Sequence, residues 1–163
     1  MTLFYEDLTV GDVEEFGAYE VTEEEILAFA SKYDPQYFHV DPERAREESI
    51  FGGLIASGWH TGAMTMRMVV DSQFGESATL GAKGIDEVRW HRPVRPGDVL
   101  SVRVEILDKE SDRPDRGDVR VGTETRNDDG ETVMTYESIV MYAKRAAVEG
   151  DEDGGTGRDD GEA

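Results

Sequence analysis

Residues 59–74 read WHTGAMTMRMVVDSQF and carry apolar side chains at many positions. Ala63, Met64, Met66, Val69 and Val70 would fall on more than one side of an α-helix. A helix that is apolar on several sides is expected to lie largely inside a protein. We therefore predict a long, buried central helix over these residues.

The sequence that follows this helix is typical of β-strands. Four segments are rich in β-favouring residues: 84–91, 99–109, 118–126 and 132–144. In the second segment one face is apolar and predicted to lie in the core, through Leu100, Val102, Val104 and Ile106. Turn sequences at 93–98 and 127–130 separate the strands, and one further short strand is expected at 14–19. One buried helix with antiparallel strands predicts an α+β fold in which the sheet wraps around the helix.

Two short helices are predicted before the central helix. Thr22 and Glu25 form the Ser/Thr-x-x-Glu pattern of a capping box, which indicates a helix start. Pro35 ends that helix, because a residue before proline avoids the α region. Asp41 followed by Pro42 indicates a second start, with a short helix to about residue 49. The segment between the two helices is interpreted as a loop.

The chain is strongly acidic. It has 37 Asp and Glu against 17 Lys and Arg, a net charge of −20. Such a surface repels nucleic acid and anionic lipid, so we expect neither as a partner. Two interpretations of the charge remain: a role in binding cations or basic partners, or adaptation to a salt-rich cytoplasm, where screening weakens self-repulsion. Scattered acidic residues and only four lysines favour the second, which predicts a halophilic source.

The length of 163 residues suits one domain, which we place at residues 1–146. Residues 147–163 are rich in Gly, Asp and Glu and are predicted to be a disordered acidic tail. The absence of cysteine excludes disulfides and thiolate chemistry. Apolar runs are too short to span a bilayer, and the N-terminus lacks the pattern of a secretory signal. These features predict a cytoplasmic protein without a membrane partner.

The segment YDPQYFH, residues 33–39, is a candidate catalytic element. A turn of this length can bring the carboxylate of Asp34 and the imidazole of His39 together. Such a pair can hold one water and transfer protons in both directions. The alternative is structural: Asp34 as a hydrogen-bond acceptor at a helix end, and His39 as a packed surface histidine. The three histidines lack the spacing of a metal site, so we expect no metal.

A second candidate element is FGGLIASG, residues 51–58, which leads into the predicted central helix. The first N–H groups of a helix are free and lie at its positive end, which suits an oxyanion. Gly58 has no side chain to block a carbonyl group from approaching, although it could equally serve close packing between helix and sheet. The candidate oxyanion and substrate-binding residues are Phe51, Gly53, Ile55, Ser57 and Gly58.

Several motifs together resemble the MaoC-like family, which includes the (R)-specific enoyl-CoA hydratases. They are DLTVGD at 7–12, the Asp34-x-x-x-x-His39 spacing with Asp41, IASG at 55–58, and PVRPGD at 93–98. The resemblance implies a hot-dog fold, an antiparallel sheet curled around a long helix. It also implies that two such folds pair, as a homodimer or a higher assembly of dimers.

The resemblance further implies how the site works. Asp34 and His39 would hold the catalytic water, and the Gly58 N–H would polarise a thioester carbonyl. No metal or redox cofactor is implied, since CoA is part of the substrate. The chain departs from the family pattern between residues 33 and 39 and at Ser57, where many relatives carry His, which leaves the acyl group open.

The leading functional hypothesis is therefore a hydro-lyase that adds water reversibly to a trans-2-enoyl-CoA thioester. Two alternatives remain open. One is a thioesterase, because the hot-dog fold also hosts those enzymes, although this is only an analogy of fold. The other is a non-catalytic subunit that binds acyl-CoA and carries a vestigial Asp–His pair.

Overall fold

The computed structural model describes residues 1–152. The strands are β1 (Val13–Glu20), β2 (Thr79–Trp90), β3 (Val99–Glu110), β4 (Arg116–Arg126) and β5 (Thr132–Ala143). The helices are α1 (Glu23–Tyr33), α2 (Tyr37–Val40), α3 (Pro42–Glu48), α4 (Gly58–Asp71) and α5 (Arg145–Glu152). Two short 3-10 turns lie at Tyr5–Asp7 and Gln73–Glu76.

The described strands form one five-stranded sheet in the order β1-β3-β4-β5-β2, with every pairing antiparallel. All five predicted strands are present, although β2 begins at Thr79, earlier than expected. Buried and half-buried residues alternate along β3 and β4, as the alternating sequence predicts. The predicted α+β class is confirmed.

Helix α4 lies against one face of this sheet. Its residues Met64 and Met68 belong to the same buried cluster as the inward side chains of β3, β4 and β5, which include Leu100, Val102, Val104, Val119, Val121, Val133 and Tyr136. Gly17 of β1 has a φ of +89°, and a Cβ placed there would lie 2.4 Å from the Met68 sulfur. The bare Gly17 backbone therefore allows the helix to approach the sheet closely.

The prediction of a helix buried on several sides is wrong for the single chain. The buried residues of α4 lie on one stripe, namely His60, Thr61, Met64, Thr65 and Met68. Trp59, Met66 and Val70 lie outside this stripe and are exposed. The helix also ends at Asp71, with residues 73–76 forming a 3-10 turn. Apolar composition alone did not distinguish the face that meets the sheet from the face that is left open.

The predicted helix starts before α4 are confirmed. The Thr22 hydroxyl accepts a hydrogen bond from the Glu25 N–H, and the Asp41 carboxylate caps α3 in the same way through Arg44. The Glu25 carboxylate accepts from the Tyr19 hydroxyl at 2.6 Å, which ties α1 to β1. The expected loop between α1 and α3 is incorrect in part, because residues 37–40 form the single helical turn α2.

The start of the predicted tail differs from expectation. Residues 147–152 belong to α5, whose first residue Arg145 donates to the Asp7 carboxylate at 2.7 Å and so ties the helix to the N-terminal segment. The rest of the predicted tail, residues 153–163, lies outside the described residues. Within residues 1–152, no helix is both long and apolar enough to cross a membrane.

Candidate active site

Asp34 and His39 are brought together by the turn between α1 and α2. Asp34 ends α1, and its N–H donates to the Ala30 carbonyl at 2.9 Å. Pro35 stops the helix there, and α2 then turns the chain back by one helical turn. The result is a distance of 3.3 Å between Asp34 Oδ2 and His39 Nε2. The close pair predicted from the sequence is present.

The buried ring of His39 is oriented by the backbone of residue 55. Its Nδ1 lies 2.8 Å from the Ile55 carbonyl oxygen. A carbonyl oxygen only accepts hydrogen bonds, so Nδ1 must carry the proton. In the neutral ring, Nε2 therefore has a free lone pair beside Asp34. This is the tautomer that a proton acceptor at Nε2 requires.

The carboxylate of Asp34 is held on both oxygens. Oδ2 accepts from the Ser57 hydroxyl at 2.7 Å, and Oδ1 accepts from the Gln36 side-chain amide at 2.8 Å. Partial burial by itself would raise the pKa of Asp34. The hydrogen bonds from Ser57 and Gln36 outweigh it and hold that pKa below its ordinary value, and His39 adds a smaller effect in the same direction when its ring is protonated. Asp34 is therefore ionised at neutral pH.

Helix α4 begins at Gly58, on the other side of the pair. As the first helical residue, Gly58 has an N–H with no acceptor inside the helix. The indole of Trp90 packs directly against Gly58: its Nε1 donates to the Gly58 carbonyl at 3.0 Å, and a Cβ at Gly58 would lie 2.4 Å from the ring. The structure therefore supports the packing interpretation of this glycine, and its role toward an oxyanion stays a prediction.

One cleft of about 400 Å³ joins these groups. Its lining includes five predicted residues, namely Asp34, His39, Gly58, Ile55 and Phe51. Ser57 and Gly53 are not among the lining residues in the described part of the chain. Ser57 is fully buried behind Asp34, and a Cβ on Gly53 would lie 3.5 Å from the Arg95 guanidinium. A substrate in the cleft would therefore reach the first five directly and Ser57 only through Asp34.

The sequence did not identify several residues at the mouth of the cleft. Trp59 and Trp90 meet edge to face, with ring centroids 5.3 Å apart. His91 is held by the Thr135 hydroxyl at 2.7 Å, and Arg92 pairs with Glu131. The sequence signal for these residues was weak, because they belong to two separate segments, the start of α4 and the end of β2 with the residues after it. Only the packing of β2 beside α4 brings the two tryptophans together.

The third histidine, His60, is not among the residues that line the cleft, and the described residues contain no metal site. Across residues 1–152, no group of three or more His, Asp or Glu side chains is arranged to hold a metal ion. The expectation that no metal or redox cofactor is needed stays a prediction. His60 is stacked on Phe29 at 4.6 Å with its Nδ1 buried and unpaired within the described residues, and burial lowers its pKa.

The sequence profile of the MaoC-like domain matches residues 9–129, a span that contains Asp34, His39 and Gly58. The chain belongs to the MaoC-like family. The five-stranded antiparallel sheet around α4 is accordingly the hot-dog fold that the motifs implied.

Related proteins align with 85–88% of this MaoC-like chain. The MaoC-like dehydratase of Rhodospirillum rubrum is 42% identical with a TM-score of 0.80, over 88% of this chain and 98% of that one. The R-hydratase PhaJ1 of Pseudomonas aeruginosa is 27% identical with a TM-score of 0.70, over 88% of each chain. The uncharacterised protein YdeM of Bacillus subtilis is 32% identical, over 85% of this chain and 98% of that one. The chain is therefore a member of a family of hydratases and dehydratases.

Proposed function

We propose that this protein catalyses reversible addition of water to a trans-2-enoyl-CoA thioester. The observation that carries the proposal is the 3.3 Å approach of Asp34 Oδ2 to His39 Nε2, in a cleft that also contains the start of α4. Hydration needs a group that takes a proton from water, a group that orients the water, and a donor for the carbonyl oxygen. The cleft holds one residue suited to each task.

The chemistry follows from the ionised carboxylate of Asp34 and the tautomer of His39. A water bound beside the pair donates one hydrogen bond to the ionised Asp34 and the other to the free lone pair of His39 Nε2. As the water oxygen bonds to C3 of the substrate, its proton passes to Nε2 and negative charge moves to the thioester oxygen. His39 then delivers the proton to C2, so one water is added in total and Asp34 remains ionised.

The charge on the thioester oxygen would be accepted at the start of α4. Gly58 N–H has no acceptor within the helix and lies at the positive end of its dipole. A well-placed donor of this kind lowers the barrier by about 3–4 kcal/mol. The cleft lining is partly aromatic, with Phe38, Phe51 and Trp59, which suits an acyl chain. CoA is part of the substrate in this proposal.

The direct test follows loss of the enoyl-thioester absorbance of crotonyl-CoA. His39→Ala should lower kcat/KM by about 10²–10⁴, the range for loss of a general acid or base. Asp34→Asn should also lower kcat/KM strongly, because the water then loses the anionic acceptor that orients it. Asp71→Asn, which removes an exposed carboxylate paired with Arg67, is the matched control and should retain full activity. Wild-type rates in either site variant would refute the mechanism.

The same assay distinguishes the alternative functions. A thioesterase would release free CoA thiol, which a thiol-reactive dye detects, and would not need the double bond. A binding subunit would bind acyl-CoA without turnover across a panel of enoyl-CoA chain lengths. Larger acyl groups belong in that panel, because residues 33–39 depart from the usual family pattern. A cytoplasmic location and adaptation to salt stay predictions from composition.

We also propose that the protein is a homodimer, joined at strand β2. The two edge strands of the sheet differ. β1 has only eight residues, and a short edge strand offers little backbone for pairing. β2 is a twelve-residue strand, exposed along nearly all its length. Such an edge is a template for another strand.

The surface beside this edge is apolar. Leu80 and Ile85 of β2 are exposed, and Ile85 lines one apolar cavity of about 370 Å³ with Met66 and Val70 of α4. A second copy placed against β2 would cover both the open edge and the cavity beside it. This arrangement explains why Met66 and Val70 of α4 are apolar although they are exposed in the single chain.

Light scattering after size exclusion tests this assembly. Wild type should have twice the mass of one chain, and Ile85→Lys should shift it toward the monomer because a charge is then buried at the interface. Ile50→Lys is the control, since Ile50 is 95% exposed and lies outside this surface. A monomeric wild type, or an equal effect of both substitutions, would contradict the proposal.

A further inference from the structure

Ser57 occupies an unusual position at the start of α4. Serine at the residue before a helix normally accepts a hydrogen bond from an N–H of the first turn. Here the Ser57 side chain forgoes that cap, and its hydroxyl donates to Asp34 Oδ2 at 2.7 Å, across 23 residues of sequence. The helix thus gives up a local stabilising contact. The hydroxyl is instead directed at the catalytic pair.

The hydrogen bond places Ser57 behind the carboxylate rather than in the cleft. Ser57 is 0% exposed, while Asp34 lines the cleft. Gln36 holds the other oxygen of Asp34 from the side of α2 at 2.8 Å. The two donors approach from different segments, so the plane of the carboxylate is fixed relative to His39 Nε2. Rotation of the Asp34 side chain would break at least one of these bonds.

We propose that Ser57 is a positioning residue, which acts with Gln36 to hold the Asp34 carboxylate in the orientation that presents a water to His39. This inference rests on the proposed hydration. The lowered pKa of Asp34 agrees with it, since hydrogen bonds to a carboxylate favour its ionised form. The other ionisable groups lining the described cleft, His91 and Arg92, are engaged by Thr135 and Glu131.

The kinetic test separates positioning from substrate contact. Ser57→Ala should lower kcat on crotonyl-CoA about tenfold, equivalent to about 1.4 kcal/mol, and leave KM within about twofold. Ser57→Thr keeps the hydroxyl and should restore most of kcat. The matched control is Thr65→Val on the same helix, which removes a buried hydroxyl bonded to Thr125 at 2.7 Å and should leave kcat unchanged. A raised KM with unchanged kcat, or an equal kcat loss in the control, would overturn the proposal.

A second measurement needs no substrate. Urea midpoints of wild type, Ser57→Ala, Asp34→Ala and the double variant form a double-mutant cycle. Ser57→Ala should lower the midpoint of wild type clearly and that of Asp34→Ala much less, because the bond partner is already gone. Additive midpoint losses would overturn the proposal at any level of activity. Coupled midpoints without turnover of any enoyl-CoA would instead reject the hydration and leave the Ser57–Asp34 contact standing.

Discussion

Gly58→Ala should destabilise the protein because the space for a side chain is already occupied. The new Cβ would lie 2.4 Å from Cε2 of Trp90 and 2.6 Å from its Nε1. Forcing extra volume into a packed contact costs about 1–3 kcal/mol. Moving the indole also breaks its bond to the Gly58 carbonyl, worth about 1 kcal/mol. Alanine returns at most about 1 kcal/mol through helix propensity, so the net loss is about 1–3 kcal/mol.

Urea unfolding followed by tryptophan fluorescence measures this loss, because Trp90 is one of only two tryptophans. Gly62→Ala is the matched control on the same helix: its Cβ would meet Met134 at 3.5 Å, an ordinary contact. That variant should be neutral or more stable by up to about 1 kcal/mol. Adding Trp90→Leu to Gly58→Ala should recover part of the loss. Equal midpoints for Gly58→Ala and Gly62→Ala would refute the packing argument.

Two further predictions concern stability. Burial lowers the pKa of His60, so the unfolded chain takes up a proton below about pH 6.5 while the folded ring stays neutral. The stability that His60 contributes is therefore present above that pH and is lost as the pH falls toward the folded pKa. His60→Phe can still stack on Phe29, and in this variant the urea midpoint should change less between pH 7 and pH 5 than it does in wild type. Gly17→Ala should cost about 2 kcal/mol or more through both its positive φ and Met68, whereas Gly11→Ala, with a similar φ and open space, should cost less. Equal losses at the two glycines would show that the helix contact does not matter.

Local sequence predicted the elements well because their signals are local. Thr22 and Asp41 cap their helices through bonds to residues three positions ahead, so neighbouring residues contain the whole interaction. The alternation in residues 99–106 likewise matches the burial in β3, since a strand repeats every two residues. The helical turn α2 was missed because four residues carry too little periodicity to be recognised.

The candidate site was predictable only in part. The short separation of Asp34 and His39 made their contact plausible from the sequence, and the structure places them together. Two partners that orient them come from further away: Ile55, which fixes the tautomer of His39, lies 16 residues beyond it, and Ser57 lies 23 beyond Asp34. Ser57 was expected near the substrate, and its position behind Asp34 depends on how α4 docks beside the end of α1.

The sequence by itself determined the fold class, the presence of five strands, the starts of α1 and α3 and the Asp–His pair, because their signals lie in residues close along the chain. Tertiary structure alone decided which face of α4 is buried, that Trp90 fills the space beside Gly58, and that Ser57 bonds to Asp34 instead of capping its helix. These contacts join segments separated by 23 residues or more, and no local periodicity encodes such distances. Their energies depend on packing geometry, which exists only once the sheet and α4 have come together.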